Sequence, residues 1–234
     1  MTRTIEWLRR VPGMTWLAGQ VQRMRGRSAD ANQPFPGSAA YWQARYERGG
    51  DSGAGSYGKF AEFKASVLNA LFVERGLHSA IEFGCGDGNQ LRTLRIDDYL
   101  GVDVSSEAIA RCRSAFAGVP GRRFMLASDY QGERLDVSLS LDVIYHLVED
   151  ATYERYMQQL FGAATQCVVV YSSNQDVEAR DGQHVRQRRF TDWVDAHATG
   201  WKLLRHVPNA YPYRGDWRTG SFADFYIYVP RESA

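Results

Sequence analysis

Lysine is scarce in this chain: among its 28 basic residues only Lys59, Lys64 and Lys202 are lysine. Cysteine is scarce as well. Cys85, Cys112 and Cys167 are odd in number and no two are close in sequence, which argues against a disulfide framework or a zinc site and fits a reducing, cytoplasmic compartment. No apolar run reaches the roughly 18 residues of a spanning helix. The opening MTRTIEWLRRVPGMTWL lacks the continuous apolar stretch of a secretory signal. An excess of one charge is also missing. With 28 basic and 27 acidic residues the net charge is +1, so the chain has no overall nucleic-acid footprint.

What is present suits one α/β domain with a small extension. The 234 residues are 44% hydrophobic and 24% charged, enough apolar surface to offset chain entropy. Residues 1–33 carry six arginines against Glu6 and Asp30. Met14, Leu17, Val21 and Met24 suit one helical face, either packed on the domain or lying on a membrane surface or partner. Residues 28–40 read as a linker. Five glycines then fall between Gly49 and Gly58, a loop able to approach a ligand closely. A helix follows and stops at Gly76. Residues 1–76 form an expected helical cap with its glycine-rich loop, and residues 77–234 an expected core.

From residue 80 short apolar runs alternate with helical stretches. Strands are predicted near Ala80–Phe83, Tyr99–Val104, Arg123–Leu126, Leu135–Leu141 and Cys167–Tyr171. Helices are predicted at Asn89–Leu94, around Ala108–Cys112, at Tyr153–Ala164 and near Thr191–Ala198. The last two strands, Trp201–Val207 and Phe222–Val229, have no helix between them and should pair antiparallel at an edge. The pattern predicts a Rossmann-like, seven-stranded, mostly parallel sheet with helices on both faces.

The sharpest motif is Glu82-Phe83-Gly84-Cys85-Gly86-Asp87-Gly88, set between a strand and a helix. Its glycines allow a tight turn and close backbone approach at the carboxyl ends of the strands. Its G-x-G-x-G spacing departs from the dinucleotide fingerprint, because Asn89 stands where a glycine is wanted, and no Walker lysine follows. Asp103, at the end of the second strand, offers a carboxylate to both hydroxyls of a ribose. Ser128-Asp129-Tyr130, ending the third, suits an adenine amino group and ring face.

This combination resembles the class I S-adenosylmethionine-dependent methyltransferases. The resemblance implies that Gly84, Gly86 and Gly88 line the methionine part of the cofactor and that Asp103 holds its ribose. It places Asp129 and Tyr130 at the adenine and Leu141 and Asp142 near the sulfonium, and it counts Glu82, Val104 and Ser128 among the cofactor-binding residues. The segment YWQARYERGG…SGAGSYGKFAEFKASVLN is similar to the amino-terminal part of methyltransferases of bacterial polysaccharide biosynthesis, where it folds over the cofactor. Arg45 or Lys64 would then pair the methionine carboxylate, and Trp42 or Tyr57 would face the sulfonium.

An alcohol acceptor needs a base or a metal. His146 follows the fourth strand with Tyr145 and is the candidate general base, with Asp142 beside it. A magnesium route would use Asp142, Asn174 and Asp176, although the spacing departs from the adjacent Asp-Asn pair of metal-dependent enzymes. His184 and Arg186, with Tyr211, Tyr213 and Trp217, mix aromatic planes with planar donors, as a sugar requires. The expected activity is therefore methylation of a sugar hydroxyl on an oligosaccharide or small-molecule acceptor. The alternatives are O- or N-methylation of another metabolite, or a non-catalytic cofactor-binding module.

Overall fold

In the computed structural model of the chain, residues 34–176 and 183–231 are described. The expected helical face at Met14–Met24 lies outside them. The described residues from Pro36 onward form one compact unit.

Five strands run parallel: β1 (Ser79–Phe83), β2 (Asp98–Asp103), β3 (Arg122–Leu126), β4 (Leu135–Leu141) and β5 (Ala164–Ser172). β6 (Trp201–Val207) and β7 (Asp224–Pro230) complete a seven-stranded sheet in the order β3-β2-β1-β4-β5-β7-β6. The final hairpin is antiparallel as expected, with β7 inserted between β5 and β6. β1 has β2 on one side and β4 on the other. The order of the strands reverses there, and such a switch point is where open α/β sheets take ligands.

Strand alternation divides the core between two faces. Ala80 of β1 packs with Leu68 and Leu71 of α2 (Gly58–Arg75) and Ile109 of α3 (Ser106–Ala115). Its neighbour Ile81 packs on the other face with Met157 and Leu160 of α4 (Asp150–Gly162) and Trp193 of α5 (Phe190–His197). Helices thus cover both faces. α2 ends where Gly76 takes φ +61, a left-handed cap. α3 starts where Ser105 Oγ accepts the Ala108 amide.

Two expectations need correction. The segment read as a linker to residue 40 already contains the start of a helix, α1 (Ser38–Glu47). A partner remote in sequence stabilises it: Glu149 accepts the Ser38 amide (2.8 Å) and hydroxyl (2.7 Å), placing a carboxylate at the helix N-terminus. The helix expected at Asn89–Leu94 is a short 3-10 turn, Gln90–Thr93. Between β3 and β4 the chain crosses with only a 3-10 turn, Ala127–Asp129, and no α-helix.

α1 is also tied at its other end. Arg111 of α3 donates to the carbonyls of Tyr46 (2.6 Å) and Gly50 (2.7 Å). Gln43 and Ser106 exchange two further bonds. The front segment is thereby fastened across the carboxyl edge of the sheet.

Candidate functional site

A cavity of about 520 Å³ opens at that edge, within the range of small-molecule sites. The glycine loop, the ends of β2 and β4, the β3–β4 crossover, α1 and one face of α4 line it. Of the residues singled out from sequence, Trp42, Lys64, Glu82, Gly84, Gly86, Asp103, Val104, Ser128, Tyr130, Leu141, Asp142 and His146 come together there.

The loop after β1 is shaped by backbone demands. Gly84, Gly86 and Gly88 have φ of +82, +57 and +74, a region costly for other residues. Asp103 Oδ2 accepts the Gly86 amide (2.8 Å), and its Oδ1 accepts that of Ser105 (2.9 Å). Burial raises the Asp103 pKa, and these amides partly oppose the shift. Asp87 points toward the front segment. Burial raises its pKa, but hydrogen bonds from the Tyr57 hydroxyl, the Asn89 amide and Ser52 outweigh that and hold it low. Below the loop, Glu82 accepts the Tyr99 hydroxyl at 2.6 Å, and burial pushes its pKa up to about 7.

The front segment sits directly on this loop. Ser52 Oγ accepts the Asp87 amide (3.0 Å) and lies 2.8 Å from the Tyr46 hydroxyl. A Cβ on Gly86 would collide with Ser52 and come within 2.7 Å of that hydroxyl. Gly86→Ala therefore adds backbone strain and lifts Ser52. A strained site of this kind costs on the order of 1–3 kcal/mol. S-adenosylhomocysteine affinity should fall about 5–150-fold by calorimetry, and an unchanged value would show that the loop tolerates a side chain.

At the other end of the cavity, Asp142 closes β4 in a left-handed conformation, φ +62. Its two oxygens accept the Lys64 ammonium and the Tyr145 hydroxyl, at 2.8 and 2.9 Å. The next turn carries His146, whose Nδ1 lies 3.1 Å from the His184 carbonyl oxygen. A carbonyl only accepts, so Nδ1 holds the proton and Nε2 keeps a lone pair. Burial lowers the His146 pKa to about 4, leaving the ring neutral at ordinary pH. Aromatic rings surround it. Trp42 meets it edge-on at 4.8 Å, His184 lies parallel at 5.6 Å, and Tyr41 stacks on His184 at 4.5 Å.

Several expected residues go elsewhere. Arg45 bonds Asp51 (3.1 Å) rather than facing the cavity, because that carboxylate stands six residues away in the glycine-rich loop. Tyr57 donates to Asp87 (2.5 Å). Lys64 is spent on Asp142. Gly88 packs beneath the loop, where an added Cβ would meet Cys112 and Phe116. The Asp129 side chain is exposed and accepts the Ser128 hydroxyl, whereas Tyr130 lines the cavity. Tyr145 is buried against Asp142, outside the cavity wall. Arg186 pairs with Asp150 (2.9 Å). Tyr211 packs edge-on to Phe60 and Phe63. Trp217 is 58% exposed. Within the loop 209–222, Tyr213 connects toward the site, through Phe222 to Tyr145 at 6.2 and 5.3 Å. The loop 209–222 therefore stands beside the cavity and not in its wall.

A magnesium ion does not fit the donors present. Both Asp142 oxygens are engaged, one by a buried ammonium. The Asn174 amide is spent on Thr191, and Asp176 is exposed. Among the described residues no group of His, Cys, Asp and Glu is arranged to hold a metal.

Sequence reasoning missed Ser52, Gln90, Tyr46 and the inward face of α4. Gln90 is buried, lines the cavity, and its Oε1 has no hydrogen-bond partner among the described residues. Thr152, Arg155, Tyr156 and Gln159 line the cavity from α4. Their helical spacing was legible, but it does not say which face turns inward.

Comparison with known proteins accords with this geometry. Residues 81–166 match the methyltransferase domain family. No curated protein sequence matches the chain. Among solved structures, the N-methyltransferase NodS from Bradyrhizobium japonicum WM9, in complex with S-adenosylhomocysteine, superposes with a TM-score of 0.63 at 16% identity, covering 82% of this chain and 99% of NodS. Magnesium protoporphyrin IX methyltransferase from Synechocystis PCC 6803 gives 0.58 at 14% identity, with coverage of 83% and 100%. The methyltransferase domain of bacterial CtHen1-C gives 0.55 at 20%, with coverage of 72% and 97%. The fold is the one that these methyltransferases share, and residues 81–166 match the methyltransferase domain family. Among the described residues no helix is long and apolar enough to cross a membrane.

Proposed function

We propose that this chain methylates a hydroxyl of a sugar-bearing acceptor, in the assembly of a bacterial polysaccharide, with S-adenosylmethionine as donor. The observation that carries the reading is His146: neutral, with Nε2 unpartnered among the described residues, in the cavity wall and packed by the rings of Trp42 and His184.

The cofactor, when bound, supplies a methyl group on a positively charged sulfur. The residues of the cavity fit it. Asp103 offers two carboxylate oxygens to a ribose, and the bare backbone of Gly84 and Gly86 leaves room for close approach. The unpartnered Gln90 Oε1 is an acceptor for an ammonium, and Tyr130 gives a ring face on the crossover side. The Asp103 carboxylate, joined by Glu82 as it ionises at about pH 7, gives this end of the cavity an acidic character suited to a cationic ligand.

Within the site His146 Nε2 takes the proton of the acceptor hydroxyl as that oxygen receives the methyl group given up by sulfur. The Nδ1–H bond to the His184 carbonyl orients the ring and stabilises the imidazolium that results. Trp42, in the cavity wall, presents an apolar plane to the C–H face of a sugar ring. The front segment, whose resemblance to polysaccharide methyltransferases motivates this acceptor class, supplies Trp42.

Two measurements on one panel test this. Cofactor turnover with mono- and oligosaccharides should exceed that with non-sugar alcohols and amines, and EDTA should leave it intact. Turnover confined to non-sugar acceptors refutes the sugar assignment. Abolition by EDTA with rescue by magnesium refutes the histidine mechanism.

A further inference from the structure

We propose that Lys64 is a positioning residue for methyl transfer, holding Asp142 and, through it, Tyr145 and the turn that carries His146. This rests on the assignment of His146 as the base but not on the identity of the acceptor.

Lys64 is fully buried on α2, which makes it unusual for a lysine. Its Nζ lies 2.8 Å from Asp142 Oδ2 and 5.2 Å from the centre of the Tyr171 ring. The other Asp142 oxygen accepts the Tyr145 hydroxyl at 2.9 Å, and the Asp142 amide donates to the Tyr171 carbonyl at 2.9 Å. Gly55 closes the remaining side, since a Cβ there would stand 2.8 Å from Asp142 Oδ2. Asp142 is also the one non-glycine residue with positive φ among the described residues. Such a conformation persists only where the surroundings over-determine it.

The groups facing Asp142 come from four elements. Lys64 is on α2, Tyr145 and His146 are on the turn after β4, Tyr171 is on β5, and Glu82 is on β1. Lys64 is the only cation in direct contact with the carboxylate among the described residues. Removing it leaves a buried negative charge that must take up a proton, rotate away or draw in water. Each of these loosens the Tyr145 hydroxyl, and Tyr145 and His146 are neighbours whose rings lie 4.5 Å apart. The wall bearing the base is therefore set by a residue of the front helix.

The alternative role for Lys64, pairing the cofactor's methionine carboxylate directly, makes different predictions. Lys64→Met, Asp142→Asn and the double variant are compared as complexes with S-adenosylhomocysteine. The first readout needs no acceptor: the His146 ring resonance, assigned with His146→Gln. The second is kcat with whichever acceptor supports turnover. Both single variants should shift or broaden the resonance alike and lower kcat by about tenfold or more, within the coupling range of contacting residues. S-adenosylhomocysteine affinity should stay within about threefold, and the double variant should be no worse than the worse single.

An unchanged resonance with at least tenfold weaker cofactor binding in Lys64→Met would overturn the proposal in favour of direct carboxylate pairing. Single-variant losses that multiply in the double would overturn it too, because the two residues would then act independently. If Lys64→Met does not fold, Asp142→Asn and Tyr145→Phe decide: a shared shift of the His146 resonance with intact cofactor affinity supports it, and an unmoved resonance in both refutes it.

Discussion

His146→Ala should lower kcat by about 10²–10⁴-fold, the usual cost of losing a general base. Cofactor affinity should change little, because the glycine loop and Asp103 do not contact His146. The loss belongs in kcat, since proton removal is needed only on the way to the transition state. The pH profile gives a sharper signature. Burial holds the His146 pKa near 4, against 6.5 for an ordinary histidine, and the bond to the His184 carbonyl opposes the shift only in part. The imidazole is then neutral and competent throughout the neutral range. Wild-type kcat should stay flat there and fall only as pH approaches about 4, and the mutant should lose that limb. A limb near pH 7 has another owner. Glu82 titrates there because of its burial, and it lines the cofactor cavity, so it should appear in cofactor affinity. Retention of wild-type kcat in His146→Ala, with the acid limb still present, would place the base elsewhere.

The parallel sheet was legible because its strands are short and apolar between helical stretches. The run Cys167–Tyr171 has the continuous apolarity of a strand covered on both faces, and β5 is such a strand. The glycine motif and Asp103 were legible for a similar reason: a tight turn and a carboxylate at adjacent strand ends are local features with fixed spacing. Arg45 and Lys64 could not be separated by sequence. Both are cations in the front segment, and their fates depend on acids that the fold brings near, Asp51 for one and Asp142 for the other. The helix at Ser38 was missed because its N-terminal stabiliser, Glu149, is 111 residues away. Gln90 and Ser52 were missed because a single polar residue in a loop carries no periodic signal. Tyr211 and Trp217 share the composition of a sugar-binding loop, yet their distance from the cavity is decided by the β6–β7 connection, which composition does not encode.

Asp103→Ala should weaken cofactor binding by at least tenfold. Two effects combine. Each charge-assisted bond from a ribose hydroxyl contributes roughly 1.5–3 kcal/mol, which by itself corresponds to about tenfold or more. The same carboxylate also tethers the Gly86 and Ser105 amides, so its removal frees the loop that should approach the cofactor. Asp103→Asn separates these effects. An amide keeps the side-chain volume and one acceptor, but its NH₂ faces an N–H that the carboxylate had accepted. Binding should therefore remain well below wild type even without a cavity. The pH dependence has a definite sign. Burial raises the Asp103 pKa, so acidification neutralises it at a higher pH than an ordinary carboxylate, and wild-type affinity should begin to fall there. Asp129→Asn is the matching control, since that side chain is exposed and does not line the cavity. Titration calorimetry with S-adenosylhomocysteine reads all three variants. Equal affinity for wild type and Asp103→Ala would remove Asp103 from the ribose site, and a loss in Asp129→Asn would return the adenine to the carboxylate that the fold turns outward.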